Sequence, residues 1–466
     1  LTRVLVVGHS PLPWEDLTKS YGPGTRTWQF AQPLLEDGHD VTVLASRIPF
    51  VYPDDMDTVT RAEEKGCTIY RVEQSEFEVG GFTDRLMTEL DPDCVVGATA
   101  YASYVASIYA GLRPLWVDVF GSLLAEAQAK AAVYYEDAYL EHFLRINRAL
   151  LEMGDRFSTV SSRQKYELVG QLGVMGRLCA DTLGYEFATS IPCAVQPIDF
   201  PPPTDPTGGA VGPEGFTVLW SGGFNTWTDV RTLFEGMELA MEICPRIHFV
   251  STGGDIQGHD EKTYPEFERL VEGSSFRDHF HLKGWVKKSE AMSYYGAASV
   301  GINMDAAHYE VMFGSRNRIL EWALAGLPAL STNLCELTGE LASEKLLFPI
   351  PVGDAEIMAR RIVELEADRG SLDQVGSRLR AWVLERYSFR QTTSELRDWV
   401  ADPAHAPDFA KRSQLRIGAL EDARRAFTPP ITPESSFVEK FRFYVRTEGL
   451  APTLGRAVPF IKRKVR

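Results

Sequence analysis

The chain contains no run of about 18 consecutive apolar residues, the length a helix needs to cross a bilayer, so no membrane-spanning helix is expected. It has few cysteines for its length. Cys67, Cys94, Cys179, Cys193, Cys244 and Cys335 are scattered with no C-x-x-C spacing, which offers neither a thiolate metal site nor a disulfide framework. They read as reduced, buried thiols of a cytoplasmic protein. Positive charge is also short: 48 Lys/Arg stand against 64 Asp/Glu, a net charge of −16. Phosphate neutralisation requires a basic face, so nucleic acid is not an expected partner. No Asp-x-Asp pair sits in a convincing strand-end loop; Asp91-Pro-Asp93 precedes a strand instead, and no metal or cofactor is expected. The opening LTRVLVVGHS reads as a buried strand running into a loop, without the cleavage site of a signal peptide.

What is present is alternation. In a chain of 466 residues, too long for one ordinary core, Val4–Val7, Val41–Leu44, Thr68–Val72, Cys94–Gly97, Leu115–Phe120 and Phe157–Ser161 read as short strands. Amphipathic stretches such as Thr25–Asp37 and the long Leu123–Met153 lie between them. Strands alternating with helices predict a parallel sheet covered on both faces. Pro192 to Gly215 then holds seven prolines and four glycines, a linker composition. Beyond it the alternation restarts at Phe216–Trp220, Ile247–Ser251, His279–Leu282, Ser299–Met304 and Pro328–Ser331. The expected fold is α/β, with two Rossmann-like doubly wound domains, 1–200 and 216–390. A linker at 201–215 joins them, and a crossover helix and basic tail follow at 391–466. Ligands in such sheets bind beyond the carboxyl ends of the strands, which predicts a site in the cleft between the domains.

Four segments carry candidate chemistry. Gly22 and Gly24 precede a helix and allow an anion to approach free backbone N–H groups, although their spacing is not the G-x-G-x-x-G of nicotinamide enzymes. A flexible turn is the alternative. Trp220–Asn225 (WSGGFN) follows the first strand of the second domain and Ser251–Gly254 (STGG) the next, with His259 beyond. Gly223, Asn225, Gly254 and His259 are therefore candidates for contact with one shared ligand. In Glu310–Thr332, Arg316 and Arg318 sit in a predicted first helical turn, where cations oppose the macrodipole unless an anion lies there. A diphosphate would match their forks. Glu321, one step on from Arg318, is placed to accept both hydroxyls of a ribose. An ordinary surface Arg–Glu pair is the alternative. Asp118 in Trp116–Gly121 (WVDVFG), at the end of a first-domain strand, either faces a sugar in the cleft or caps the next helix.

The segment Glu321-Trp-Ala-Leu-Ala-Gly-Leu-Pro328 resembles the C-terminal signature of the family 4 glycosyltransferases, also called glycosyl transferases group 1. Tyr21–Leu44 is similar to that family's glycine loop and helix, Val195–Phe200 to its domain junction, and Glu385–Phe389 to the helix before its crossover. The resemblance covers roughly residues 1–400. It implies a GT-B fold, metal independence, retention of anomeric configuration, and a nucleotide-sugar donor held by the second domain. Glu321 would bind the donor ribose, Gly22 and Gly24 the diphosphate, and Trp285 and Val286 the base, whether UDP-, GDP- or dTDP-linked. Phe313 occupies the position of the family's second Glu, and Glu310, out of register, is the nearest carboxylate. The Arg…Lys pair usual after the second domain's first strand is absent from GGFNTWTD, which assigns its role to Arg316 and Arg318. Asp118 stands near the place of an N-domain histidine, so Asp118 and Glu310 are the catalytic candidates.

The implied activity is sugar transfer to a glycan or lipid-linked acceptor in cell-surface polysaccharide or glycoconjugate synthesis. Two rivals stay open: a non-catalytic glycan-binding scaffold on the same fold, and a nucleotide-sugar epimerase or hydrolase. Residues 439–466 carry eight Lys/Arg against two Glu, and Phe437, Phe441, Tyr444 and Val445 are spaced helically. The tail at 437–466 is therefore a candidate for peripheral contact with the inner membrane face, for docking on the acidic body, or for leading into another domain.

Overall fold

The computed structural model describes residues 1–19, 22–49, 51–53, 55–212, 214–426 and 438. The tail proposed for membrane contact lies outside the described residues, apart from Val438. Eight strands form the first sheet: β1 (Arg3–Ser10), β2 (Asp40–Arg47), β3 (Val59–Glu64), β4 (Cys67–Val72), β5 (Cys94–Gly97), β6 (Leu115–Val119), β7 (Arg156–Thr159) and β8 (Ala188–Ser190). Their order is β3-β4-β2-β1-β5-β6-β7-β8, parallel except for the β3–β4 pair at the edge. Six more form the second: β9 (Phe216–Ser221), β10 (Ile247–Thr252), β11 (Phe280–Leu282), β12 (Val300–Asn303), β13 (Ala329–Thr332) and β14 (Leu347–Ile350). They are all parallel, in the order β11-β10-β9-β12-β13-β14.

Side chains alternate across a strand, so a central strand must find a core on each side. Along β1, Leu5 and Val7 enter one buried cluster while Val4 and Val6 enter another. Along β9, Val218 and Trp220 face one cluster and Leu219 the opposite one. Both domains are thus doubly wound, as the alternation predicts. Three strands were not legible beforehand. β3 is polar and half-exposed, β8 has three residues, and β14 is interrupted by Pro349. The stretch expected as one helix from Leu123 to Met153 is two, Leu123–Tyr134 and Ala138–Met153, because Tyr135 adopts φ 53° and ends the first.

The chain crosses back to the first domain near residue 388. Val195 N donates to Tyr387 O at 2.8 Å, and Phe389, Leu396 and Val400 enter the core that holds Val4 and Phe30. Arg397 pairs with Asp37, Arg177 with Asp408, and Arg416 with Asp155, so the C-terminal helices are held by ion pairs to the first domain. Among the described residues no helix is long and apolar enough to cross a membrane. All six cysteines are free; Cys67, Cys94, Cys193 and Cys335 are buried, while Cys179 and Cys244 are partly exposed.

Candidate functional site

The strands of both sheets run toward a cleft of about 1310 Å³ between the domains. Its walls are loops that follow β1, β5 and β6 on one side and β9, β10 and β12 on the other. Two helices begin in it, Gly22–Glu36 of the first domain and Asn317–Ala325 of the second. Their first residues are neighbours: a Cβ on Gly22 would lie 2.6 Å from Asn317 Nδ2. No side chain caps the second helix. The start of a helix carries partial positive charge, which favours an anion beside it.

Arg318 lies beside this junction. Its guanidinium stacks on Trp220 at 3.9 Å from the ring centroid, and Nη2 donates to Gly223 O at 2.9 Å. Nη1 is buried with no partner. Burial pulls this guanidinium down to about 10 while the charges of Asp305 and Glu321 partly hold it up, so it stays charged at neutral pH. Glu321 lines the cleft on the same helix and accepts from Tyr295 Oη at 3.3 Å. Trp285 and Val286 form the adjoining wall; Trp285 Nε1 donates to Asp255 O at 2.8 Å, and the Lys19 ammonium lies 5.9 Å from its ring centroid. Gly223, Asn225 and His259 also line the cleft.

Other expectations are displaced. Arg316 is the residue before the helix, not in its first turn, and it is buried. Its Nε donates to Asp305 Oδ2 at 2.7 Å and its Nη2 to Glu310 Oε2 at 3.1 Å, so two carboxylates already consume its charge. Burial pushes the Glu310 carboxyl up to about 7 against the pull of Arg316, and the like charge of Asp305 adds to the rise. Gly24 makes its close approach to protein rather than ligand: a Cβ there would overlap the Pro11 carbonyl oxygen. The two glycine pairs pack largely on each other. Gly222 N donates to Thr252 O at 2.7 Å and Phe224 N to Gly254 O at 3.0 Å, while Gly253, at φ 109°, leaves no room for a Cβ beside Gly222. Gly254 packs on Tyr264 rather than lining the cleft.

Asp118 does not face the cleft. It is completely buried beneath the first domain's wall, where Oδ1 accepts from Arg26 Nη2 at 2.7 Å and Ser158 Oγ at 2.7 Å. Oδ2 accepts from Arg26 Nε at 2.9 Å and the Thr99 amide at 3.0 Å. Four donors saturate the carboxylate, so it has nothing left for a sugar. A strand-end Asp looks the same in sequence whether its side chain rises into the cleft or turns into the sheet; here the buried Arg26 turned it inward.

The profile described as "Glycosyl transferases group 1" matches residues 215–368. No curated protein matches the chain. Among solved structures, sucrose-phosphate synthase from Thermosynechococcus elongatus superposes with a TM-score of 0.64 at 16% identity, covering 86% of this chain and 98% of that one. HepE from Anabaena, solved with UDP and glucose, gives 0.58 at 13% identity, over 86% and 100%. The E. coli trehalose-6-phosphate protein bound with UDP-2-fluoro glucose gives 0.60 at 9% identity, over 87% and 100%.

The fold is GT-B. At these identities the likeness is one of architecture, and the glycosyltransferase-like character of the chain comes with the profile match across the second domain.

The GT-B cleft also holds residues that the sequence did not single out. His9, at the end of β1, lines the first-domain wall and stacks on Tyr101 at 6.0 Å between ring centroids. Burial pulls its imidazole down to about 4, leaving it neutral at physiological pH. Its signal was weak: a polar residue at the carboxyl end of an apolar strand. Asp305 is a second such residue, legible only as the partner of Arg316. Among the described residues, no group of three or more His, Cys, Asp or Glu side chains is placed to hold a metal ion.

Proposed function

We propose that this chain is a glycosyltransferase that takes a sugar from a nucleoside-diphosphate sugar held in the interdomain cleft and passes it to a glycan or lipid-linked acceptor. The observation that carries the reading is the unpartnered Nη1 of Arg318, buried in the cleft where two helices begin. A diphosphate would give that nitrogen an acceptor and place negative charge at both helix starts. Sugar transfer needs stabilisation of the departing diphosphate, and preorganised cations and amides in a cleft shielded from water can provide it without a metal. Glu321 would hold the ribose, with the base against Trp285 and Val286. Gly22, Asn317 and Arg318 would face the diphosphate, while Arg316 would act by holding Asp305 and Glu310 in place.

Glu310 is the cleft carboxyl whose position near neutrality suits it to hold or release a proton beside the transferred sugar. Asp118 has no such role in this reading. Retention of configuration and a role in cell-surface polysaccharide or glycoconjugate synthesis accompany the proposal through the family resemblance alone. Calorimetry with UDP, GDP and dTDP, each in excess EDTA, tests it. Binding of one of the three without metal is expected. Binding of none, or binding only after manganese is restored, would overturn the donor assignment.

A further inference from the structure

A second cavity, of about 600 Å³, lies beside β3 on the flank of the first domain, lined by Trp14, Glu15, Tyr52, Glu64, Lys65 and Arg71 among others. It shares Trp14 and Lys65 with the main cleft, so the two spaces meet along one aromatic wall. The ring of Trp14 is fixed on two sides. It meets the Trp28 ring at an interplanar angle of 79°, with centroids 4.7 Å apart, and its Nε1 donates to Glu64 Oε2 at 2.8 Å. The polar groups around it are held as firmly. Arg71, nearly buried, reaches Glu64 through Nη1 at 3.3 Å and Nη2 at 2.7 Å, and its Nε lies 3.2 Å from Glu15 Oε1. Tyr52 Oη donates to the same Glu15 oxygen at 2.8 Å. The Lys65 ammonium lies 5.7 Å from the Trp14 ring centroid.

The charges in this cavity cancel: Glu15 and Glu64 against Lys65 and Arg71. A phosphate or nucleotide would prefer a net positive wall, and a hydrocarbon chain would strip water from two carboxylates without replacing it. A flat, immobilised indole beside oriented hydroxyl, guanidinium and carboxylate groups instead matches a neutral pyranose, whose C–H face packs on the ring while its hydroxyls bond at the edge. We propose that this cavity is an oligosaccharide subsite, holding a neutral sugar unit of the acceptor at least one residue away from the reacting hydroxyl. That the bound glycan is an acceptor rests on the glycosyltransferase reading above. That the cavity binds neutral glycan does not.

The test is a printed array of neutral and charged oligosaccharides, probed with the labelled full chain in the presence of UDP, GDP and dTDP. Retained oligosaccharides are then titrated in solution. Retention of neutral oligosaccharides of two or more units is expected. Trp14→Ala, which removes the platform, and Ala62→Trp or Met56→Trp, which fill the cavity, should each weaken them at least tenfold. Nucleotide affinity should be unchanged in Ala62→Trp and Met56→Trp, and thermal melting identifies which filled variant is folded. The proposal is overturned if a folded, nucleotide-binding wild type retains no neutral oligosaccharide, if only charged glycans are retained, or if a folded cavity-filling variant binds as the wild type does. Glycan retention without binding of any nucleotide would support the subsite while removing the donor reading.

Discussion

Replacing Asp118 with alanine separates a structural carboxylate from a catalytic one. The wild-type side chain is completely buried and accepts four hydrogen bonds, two of them from the Arg26 guanidinium, which is equally buried. Removing the carboxylate leaves that guanidinium with only neutral acceptors, Gln29 Oε1 at 3.0 Å and Pro192 O at 3.2 Å. An uncompensated buried charge of this kind costs about 3–5 kcal/mol. In a domain of this size each kcal/mol moves the melting temperature by roughly 2–4 °C, which places the expected drop on the order of 10 °C. The assay is thermal unfolding by circular dichroism, paired with nucleotide calorimetry. A double variant, Arg26→Met with Asp118→Leu, should recover a large part of the loss, because a buried pair replaced by apolar groups of similar size is often near neutral. The reasoning is refuted if Asp118→Ala melts within about 2 °C of the wild type and nevertheless abolishes turnover, for then the carboxylate acts on substrate.

Arg318→Ala should weaken nucleoside diphosphate binding by roughly 10- to 100-fold, the worth of a charge-assisted contact, whereas Arg316→Ala should lower the melting temperature by exposing Asp305 and Glu310 to each other; calorimetry and melting distinguish the two. Glu310 titrates higher in the folded protein than in the unfolded chain, so the stability it contributes is present below about 4.5 and is lost as pH rises through about 7. Glu310→Gln should therefore gain stability on the wild type, by up to about 3 kcal/mol, as pH goes from 4.5 to 8 in denaturant titrations; a pH-independent difference would refute the shift. Asp16 accepts from the Ser289 amide at 2.9 Å and its hydroxyl at 2.8 Å across the cleft. Asp16→Ala should thus raise the radius of gyration in X-ray scattering of the unliganded protein, and an unchanged radius would show that this contact does not hold the domains together.

Periodicity alone determined the fold. Apolar strands such as VLVV and FTVLW, separated by helical stretches and divided by a proline-rich segment, admit little besides two doubly wound sheets, since each strand must bury both faces. It also placed Arg318 and Glu321 at the cleft, because residues at strand ends and helix starts of such sheets converge by topology; Trp285 and Val286 came with the family resemblance. Tertiary structure decided which of these side chains are available. Arg316 and Arg318 are two residues apart on one segment, but only the first finds Asp305 and Glu310, and only the second stacks on Trp220 with a nitrogen left over. Asp118 is a polar strand end like His9, yet a buried Arg26, far away in sequence, turned it inward while His9 lines the cleft. Neither outcome is local. The charge state and reach of a polar side chain depend on partners brought together by folding, and those pairings leave no periodic trace in the sequence.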